Sequence, residues 1–150
     1  VAEQRGWHHY EIMPISFHPK PGTVLICDFA TGFRPPEMVK RRPVVVVSKS
    51  RQQLVTVVPL STTEPHPLER WHHELRDVSL PIPLRGKRHW AKCDVLASVA
   101  FWRLDRVRGP RNPTTGKRTY VSYQVYPEDL RAIQAAILAV FGLSHLIWPS

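Results

Sequence analysis

The apolar residues of this chain gather into a β pattern after the Pro21-Gly22 turn signal. Thr23–Phe29, "TVLICDF", is a β-branched and aromatic run of strand length. Pro43–Ser48, "PVVVVS", is a continuous apolar run, which predicts a strand buried on both faces. A proline can head it, because a first-position proline costs no interior ladder bond. After the polar "SKSRQQ", Leu54–Leu60 returns as a third strand, so the two predict a hairpin with its loop at 49–53. "RWHHELRDV", 70–78, predicts a fourth strand, and the proline-rich 79–89 is excluded from any central strand. Trp90–Leu104 fits strand or helix by periodicity, with its Val, Phe and Trp content favouring strand at the start.

The stretch 109–118 reads as a turn-rich loop. Thr119–Tyr126 then alternates Val121, Tyr123 and Val125 against Tyr120, Ser122 and Gln124, the period of a half-buried strand. The last segment changes period: Leu130, Ile133, Ile137, Val140 and Phe141 are spaced by threes and fours, as in an amphipathic helix. Pro127, Glu128 and Asp129 suit its first turn and Gly142 its end. Several strands closed by one terminal helix predict an α+β, mainly β or barrel-like fold, not a βαβ repeat.

At 150 residues the chain fits one domain. Residues 1–12 are polar and unpatterned, so they are expected to be an extension, with the ordered domain over 13–150. No apolar run approaches the roughly 20 residues of a membrane span, and the first residues lack a signal peptide's apolar core. Two cysteines, Cys27 and Cys93, lie inside apolar elements and are too few for a disulfide framework. A reduced, cytoplasmic protein without membrane attachment is expected.

Charge narrows the class of partner. The chain holds 21 Lys and Arg against 12 Asp and Glu, a net +9, which biases it toward a polyanion and nucleic acid above all. Its 15 prolines, about twice the ordinary share of roughly 5%, are dispersed as turn punctuation rather than gathered into a linker.

Several chemistries are excluded by spacing. His8-His9 and His72-His73 are adjacent pairs, which a strand would point to opposite faces, and there is no CxxC or HExxH; no metal site is expected. Walker A, GxGxxG and GxSxG runs are absent, so no nucleotide cofactor is expected and Cys27 reads as structural. What remains is "FRPPEMVKRRPVVVV", where Glu37, Lys40, Arg41 and Arg42 crowd the mouth of the apolar strand. In a 49–53 hairpin, residues 42 and 61 fall at the same open end, setting a guanidinium near the hydroxyls of Ser61, Thr62 and Thr63. Arginine presents a planar donor fork to phosphate oxygens, a fixed hydroxyl adds a donor, and a carboxylate can hold a proton. The plainer reading has Glu37 pairing with Lys40 or Arg41 on a solvated loop and the hydroxyls capping a turn. On residue types alone that plainer reading comes first.

Three motifs in order shift the balance. "PGTVLICDF", "EMVKRRPVVVVS" and "TVVPLSTTEP", followed by "AKCDVLASVAFWRLDRV" and the terminal helix, resemble the MazF/PemK family of toxin-antitoxin toxins over about 21–143. The resemblance implies a small SH3-like β-barrel with a C-terminal helix packed on the sheet, a homodimer, and a cognate acidic antitoxin. It also implies a cofactor-free, metal-independent endoribonuclease that cleaves single-stranded RNA at short motifs through 2′-OH attack. By position, Arg42 matches the family's catalytic arginine and Glu37 an acid present in the loop of some members. Ser61 falls where a threonine is more usual, with Thr62 directly behind it. On this reading Lys40, Arg41, Lys87, Arg88 and Arg103 become candidate RNA-backbone contacts.

The chain departs from the family in its Phe-Arg-Pro-Pro-Glu loop, in place of a Gly-rich approach, and in the stretch 81–88. Two other functions are weighed against the nuclease. CcdB-type toxins share the fold and poison gyrase by binding, a reading that would draw on Trp148. An SH3-like module that binds RNA and leaves it intact is the other.

Overall fold

A computed structural model describes residues 14–147. Nine strands precede one helix among them: β1 Val24–Asp28, β2 Arg41–Val46, β3 Leu54–Ser61, β4 His72–Glu74, β5 Trp90–Lys92, β6 Ala97–Ala100, β7 Leu104–Asp105, β8 Val107–Arg111, β9 Arg118–Val121 and α1 Pro127–Val140. The mainly β fold with a terminal helix is thus as the sequence predicts. The expected extension 1–12 lies outside the described residues.

The main sheet runs β4-β5-β3-β2-β1-β7, and β6 also pairs with β3. β3 is the pivot, pairing with β6 through Leu54–Val57 and with β5 through Leu60 and Ser61. No ladder joins β4 to β7 among the described residues. Closure of the expected small SH3-like β-barrel is not seen among the described residues, the end strands being only three and two residues long.

The valine run explains the rigidity of the centre. Val44, Val45 and Val46 have no exposed surface, and they divide between two cores by alternation. Val44 and Val46 join Leu25, Cys27, Phe29, Val55, Val57 and Leu104. Val45 joins Val24, Val58, Leu60 and Ile133, the core on which α1 lies. Burying each such side chain is worth about 1.5–3 kcal/mol, and a one-residue slip would exchange the two sets, so the register is strongly fixed.

α1 presents Ile133 and Ala136, with Leu130, Ile137 and Val140 beside them, to the second of these cores. Gly142 (φ +70°) ends it in the left-handed conformation that glycine adopts without strain. Its N-terminus is pinned by Asp129, which accepts hydrogen bonds from Ser79 Oγ and from Arg76 Nε (3.3 Å) and lies 2.8 Å from His73 Nε2.

Four segments differ from the sequence expectations, one being the strand expected over 119–126, which is only Arg118–Val121 with an isolated bridge from Gln124 to Thr23. The strand expected over 70–78 is only His72–Glu74, because Asp77–Ser79 turns as a 3₁₀ helix that delivers Ser79 to Asp129. The ambiguous stretch Trp90–Leu104 breaks into β5 and β6 around a 3₁₀ turn, Cys93–Val95, with a second turn at Phe101–Arg103. The expected loop at 109–118 is instead the end of β8, a turn and the first residue of β9. That hairpin forms a sheet of its own.

Candidate active site

The β2–β3 hairpin sets the geometry at the strand mouth. Its ladder pairs Val46 with Val57, Val45 with Val58 and Val44 with Pro59. Continued by two residues this register would set Arg42 opposite Ser61, as the hairpin loop predicts, but the ladder itself ends at Val44 and Pro59, and Ser61 pairs with Trp90 of β5. On its other edge Arg42 stands opposite Cys27 and Arg41 opposite Asp28.

The two adjacent arginines are used differently. Arg41 lies 3.8 Å from the carboxylate of Asp105, which has no exposed surface and is also 3.4 Å from Arg108. Arg42 Nε is buried and has no hydrogen-bond partner. Arg42 contributes to the wall of an open groove of about 500 Å³, lined also by Arg41, Arg108 and Arg118 over an apolar floor that includes Ile26, Pro43 and Leu84. Arg108 and Arg118 were not singled out by the sequence reading. Their signal is the alternation Val107, Arg108, Gly109 entering what reads as loop.

Ser61 is nearly buried. Its Oγ accepts the Thr63 N–H at 3.1 Å and lies 3.4 Å from the Thr63 carbonyl, so the hydroxyl is held by a turn. Thr62 is exposed.

Glu37 is not brought to Arg42's groove. Its carboxylate accepts the Arg34 N–H at 3.0 Å across the turn that contains Pro35 and Pro36. It lines a second cavity of about 240 Å³, with Phe29, Phe33, Met38 and Asp94. The loop root is clamped by Arg103, which donates to the carbonyls of Asp28 (3.0 Å) and Thr31 (2.7 Å) and lies over the rings of Phe33 and Trp102.

The other candidate cations are dispersed. Arg88 pairs with Glu74 (2.6 Å) and stacks on Trp90, and with Lys87 it lines a separate cavity beside Glu74. Lys40 is exposed at the end of the loop. Trp148 lies outside the described residues. The adjacent histidines have separate structural partners: His72 Nδ1 accepts the Glu69 N–H, and His73 meets Asp129. Burial pushes both thiols up to about 12, so Cys27 and Cys93 are unreactive core residues.

The chain is similar over most of its length to two uncharacterized bacterial proteins. YifN of Escherichia coli strain K12 is 33% identical, covering 90% of this chain and 99% of that one. A protein of Haemophilus influenzae is 29% identical with the same coverage. In fold it is similar to crystal structures of Deinococcus radiodurans MazF (TM-score 0.58, 15% identity, 85% of this chain and 99% of that one) and MazE–MazF (0.54, 14%, 86% and 100%). The family model for the PemK-like, MazF-like toxin of type II toxin-antitoxin systems matches residues 20–141, and the chain belongs to that family.

Proposed function

We propose that this toxin is an endoribonuclease that cleaves single-stranded RNA by using the substrate's own 2′-OH. The observation that supports the proposal is that Arg42, on a strand whose Val44, Val45 and Val46 are fully buried, lines a groove together with Arg41, Arg108 and Arg118, with Ser61 at the end of the neighbouring strand. The 2′-oxygen attacks the adjacent phosphorus, the bond to the 5′-oxygen breaks, and a 2′,3′-cyclic phosphate and a 5′-OH result. The 2′-OH proton leaves to a base, and the departing oxygen gains one. Because RNA supplies the nucleophile, the protein's work is to position the strand and stabilise the phosphate charge.

In this mechanism Arg42 donates to the non-bridging oxygens. Its guanidinium stays charged throughout, and having no carboxylate partner among the described residues it need not break an ion pair to bind. Ser61 adds a hydroxyl donor. It accepts the Thr63 N–H, and its long contact to the Thr63 carbonyl is readily exchanged for a phosphate oxygen. Thr62, exposed next to it, is the rival donor. Glu37 serves as proton acceptor only if its loop carries it out of its own cavity toward the groove. Otherwise it holds the turn through Arg34. Both roles are separable by substitution.

The toxin is proposed to act in the cytoplasm as a homodimer, neutralised by an acidic antitoxin. The net charge of +9 favours such a partner electrostatically, and the solved Deinococcus MazE–MazF assembly has the same fold on its MazF side. Mapping the 5′ ends of RNA incubated in EDTA with wild type and with Arg42→Ala tests the reading. Wild type should give discrete ends bearing 5′-OH, and Arg42→Ala should give almost none. A folded Arg42→Ala protein that cuts at the wild-type rate would remove the assignment.

A further inference from the structure

Residues 106–126 contain no Asp or Glu, yet Arg106, Arg108, Arg111, Lys117 and Arg118 all fall there. These cations belong to the β8–β9 hairpin, which stands apart from the main sheet. Its ladder pairs Val107 with Val121, Arg108 with Tyr120 and Arg111 with Arg118. Like charges directly opposite on paired strands are destabilising, so Arg111 against Arg118 is a cost within the isolated protein. Backbone carbonyls hold them in place rather than carboxylates: Gly116 for Arg111 (3.1 Å) and Gly109 for Arg118 (3.4 Å). The turn between them is fixed by Asn112 Oδ1, which accepts the N–H groups of Thr114 (2.8 Å) and Thr115 (3.1 Å).

The hairpin continues the groove at Arg42, since Arg108 and Arg118 line that groove themselves. Beside them, the Arg106 guanidinium lies over the Tyr120 ring at 3.8 Å. A guanidinium so stacked offers a flat face on which a nucleobase can lie, and an edge that donates to phosphate. A glutamate or aspartate side chain could use the edge but not the face.

We propose that the β8–β9 hairpin grips the phosphate backbone of the RNA strand on one side of the scissile bond. Arg118, Arg111 and Lys117 carry the strand outward from Arg42, and the Arg106–Tyr120 pair receives a base. A polyanion laid across the hairpin would also relieve the repulsion between Arg111 and Arg118. The identity of the ligand as substrate rests on the nuclease reading above.

The test measures binding of the full chain to a short single-stranded RNA that is 2′-O-methylated throughout, which binds without being cut. Anisotropy titrations over a range of salt compare wild type with the triple variant Arg106→Ser, Arg111→Ser, Lys117→Ser. Each single-strand phosphate contact contributes about 0.7 to the slope of log K against log salt, so the variant's slope should be shallower by about 2. Restoring charge with Arg106→Lys, Arg111→Lys in an otherwise wild-type chain should keep most of the slope, while base stacking weakens. Matching thermal midpoints guard against misfolding. Unchanged affinity and slope in the triple variant would overturn the proposal. So would unchanged RNA binding together with weakened binding of poly-glutamate, which would assign the hairpin to an acidic polypeptide. Because this RNA reports binding without chemistry, a wild-type protein that leaves unmodified RNA uncut in EDTA would sink the nuclease reading and leave this result standing.

Discussion

Arg41 lies 3.8 Å from the buried carboxylate of Asp105, while its neighbour Arg42 has a buried Nε with no hydrogen-bond partner. On the nuclease reading the two residues separate stability from function. Asp105→Ala strips Arg41 and Arg108 of a shared partner. It should cost about 2–3 kcal/mol in urea unfolding, less than the roughly 3–5 kcal/mol of a wholly buried pair, because both arginines keep some access to water. Arg42→Ala removes no ion pair and should stay within about 0.5 kcal/mol of wild type. On the nuclease reading its loss appears in kcat instead, and a large stability loss would make it a structural residue.

On the nuclease reading, Ser61 and Thr62 are rival donors for one role. Ser61→Ala should lower kcat by roughly 10²–10³, the effect of deleting one donor to developing charge, and Ser61→Thr should recover most of it. Thr62→Val should have the smaller effect. Single-turnover cleavage of a defined RNA measures both, and the reverse order would transfer the role to Thr62.

The β2–β3 register was legible because valine occurs in a run that only a doubly buried strand accepts, and the polar 49–53 loop sets the pairing. The register extended sets residues 42 and 61 at one open end, but the roles proposed for Arg42 and Ser61 are what the family resemblance implies. The place of Glu37 does not follow from the register, because a loop's path depends on contacts remote in sequence: Arg103, 66 positions away, fixes its root. The β8–β9 hairpin was concealed by Gly109, Pro110 and Asn112-Pro113, which read as loop one residue at a time. Gly109 fits there because a side chain would meet Thr119 Oγ1 at 2.5 Å, a cross-strand approach no local pattern announces.

Acid should loosen the seat of α1. Burial alone would raise the Asp129 carboxyl, but hydrogen bonds from Ser79, His73 and Arg76 outweigh it and hold the group below its ordinary range. A depressed folded pKa gives stability that is fully present above the unfolded value, about 3.9, and lost as pH falls through the folded one. The urea midpoint of wild type should exceed that of Asp129→Asn at neutral pH, and the gap should close below about pH 4. A constant gap down to the lowest pH would show that packing, not ionisation, is responsible.

Both cysteines should resist alkylation. With no exposed surface and thiols raised to about 12, Cys27 and Cys93 carry almost no thiolate at pH 8. Iodoacetamide should label neither in the folded protein within minutes, and both in guanidinium, as read by intact mass. Rapid labelling of the folded protein at one cysteine would place that thiol at the surface.

Arg103 is expected from the family resemblance to contact RNA, whereas the structure gives its guanidinium four partners at the root of the Glu37 loop: two carbonyls and two rings. These explanations differ in what lysine can replace. A phosphate contact needs charge, so Arg103→Lys would keep the salt slope of RNA binding and Arg103→Ala would lose about 0.7 of it. The clamp needs the planar guanidinium, because an ammonium could donate to both carbonyls, as one guanidinium nitrogen does here, but has no flat face to lay over Phe33 and Trp102. The clamp predicts that Lys and Ala behave alike: amide exchange quickens through 31–40, kcat drops several-fold as Arg42 loses its neighbouring loop, and the salt slope is unchanged. If lysine restores exchange protection as well as kcat, charge alone suffices and the clamp explanation fails.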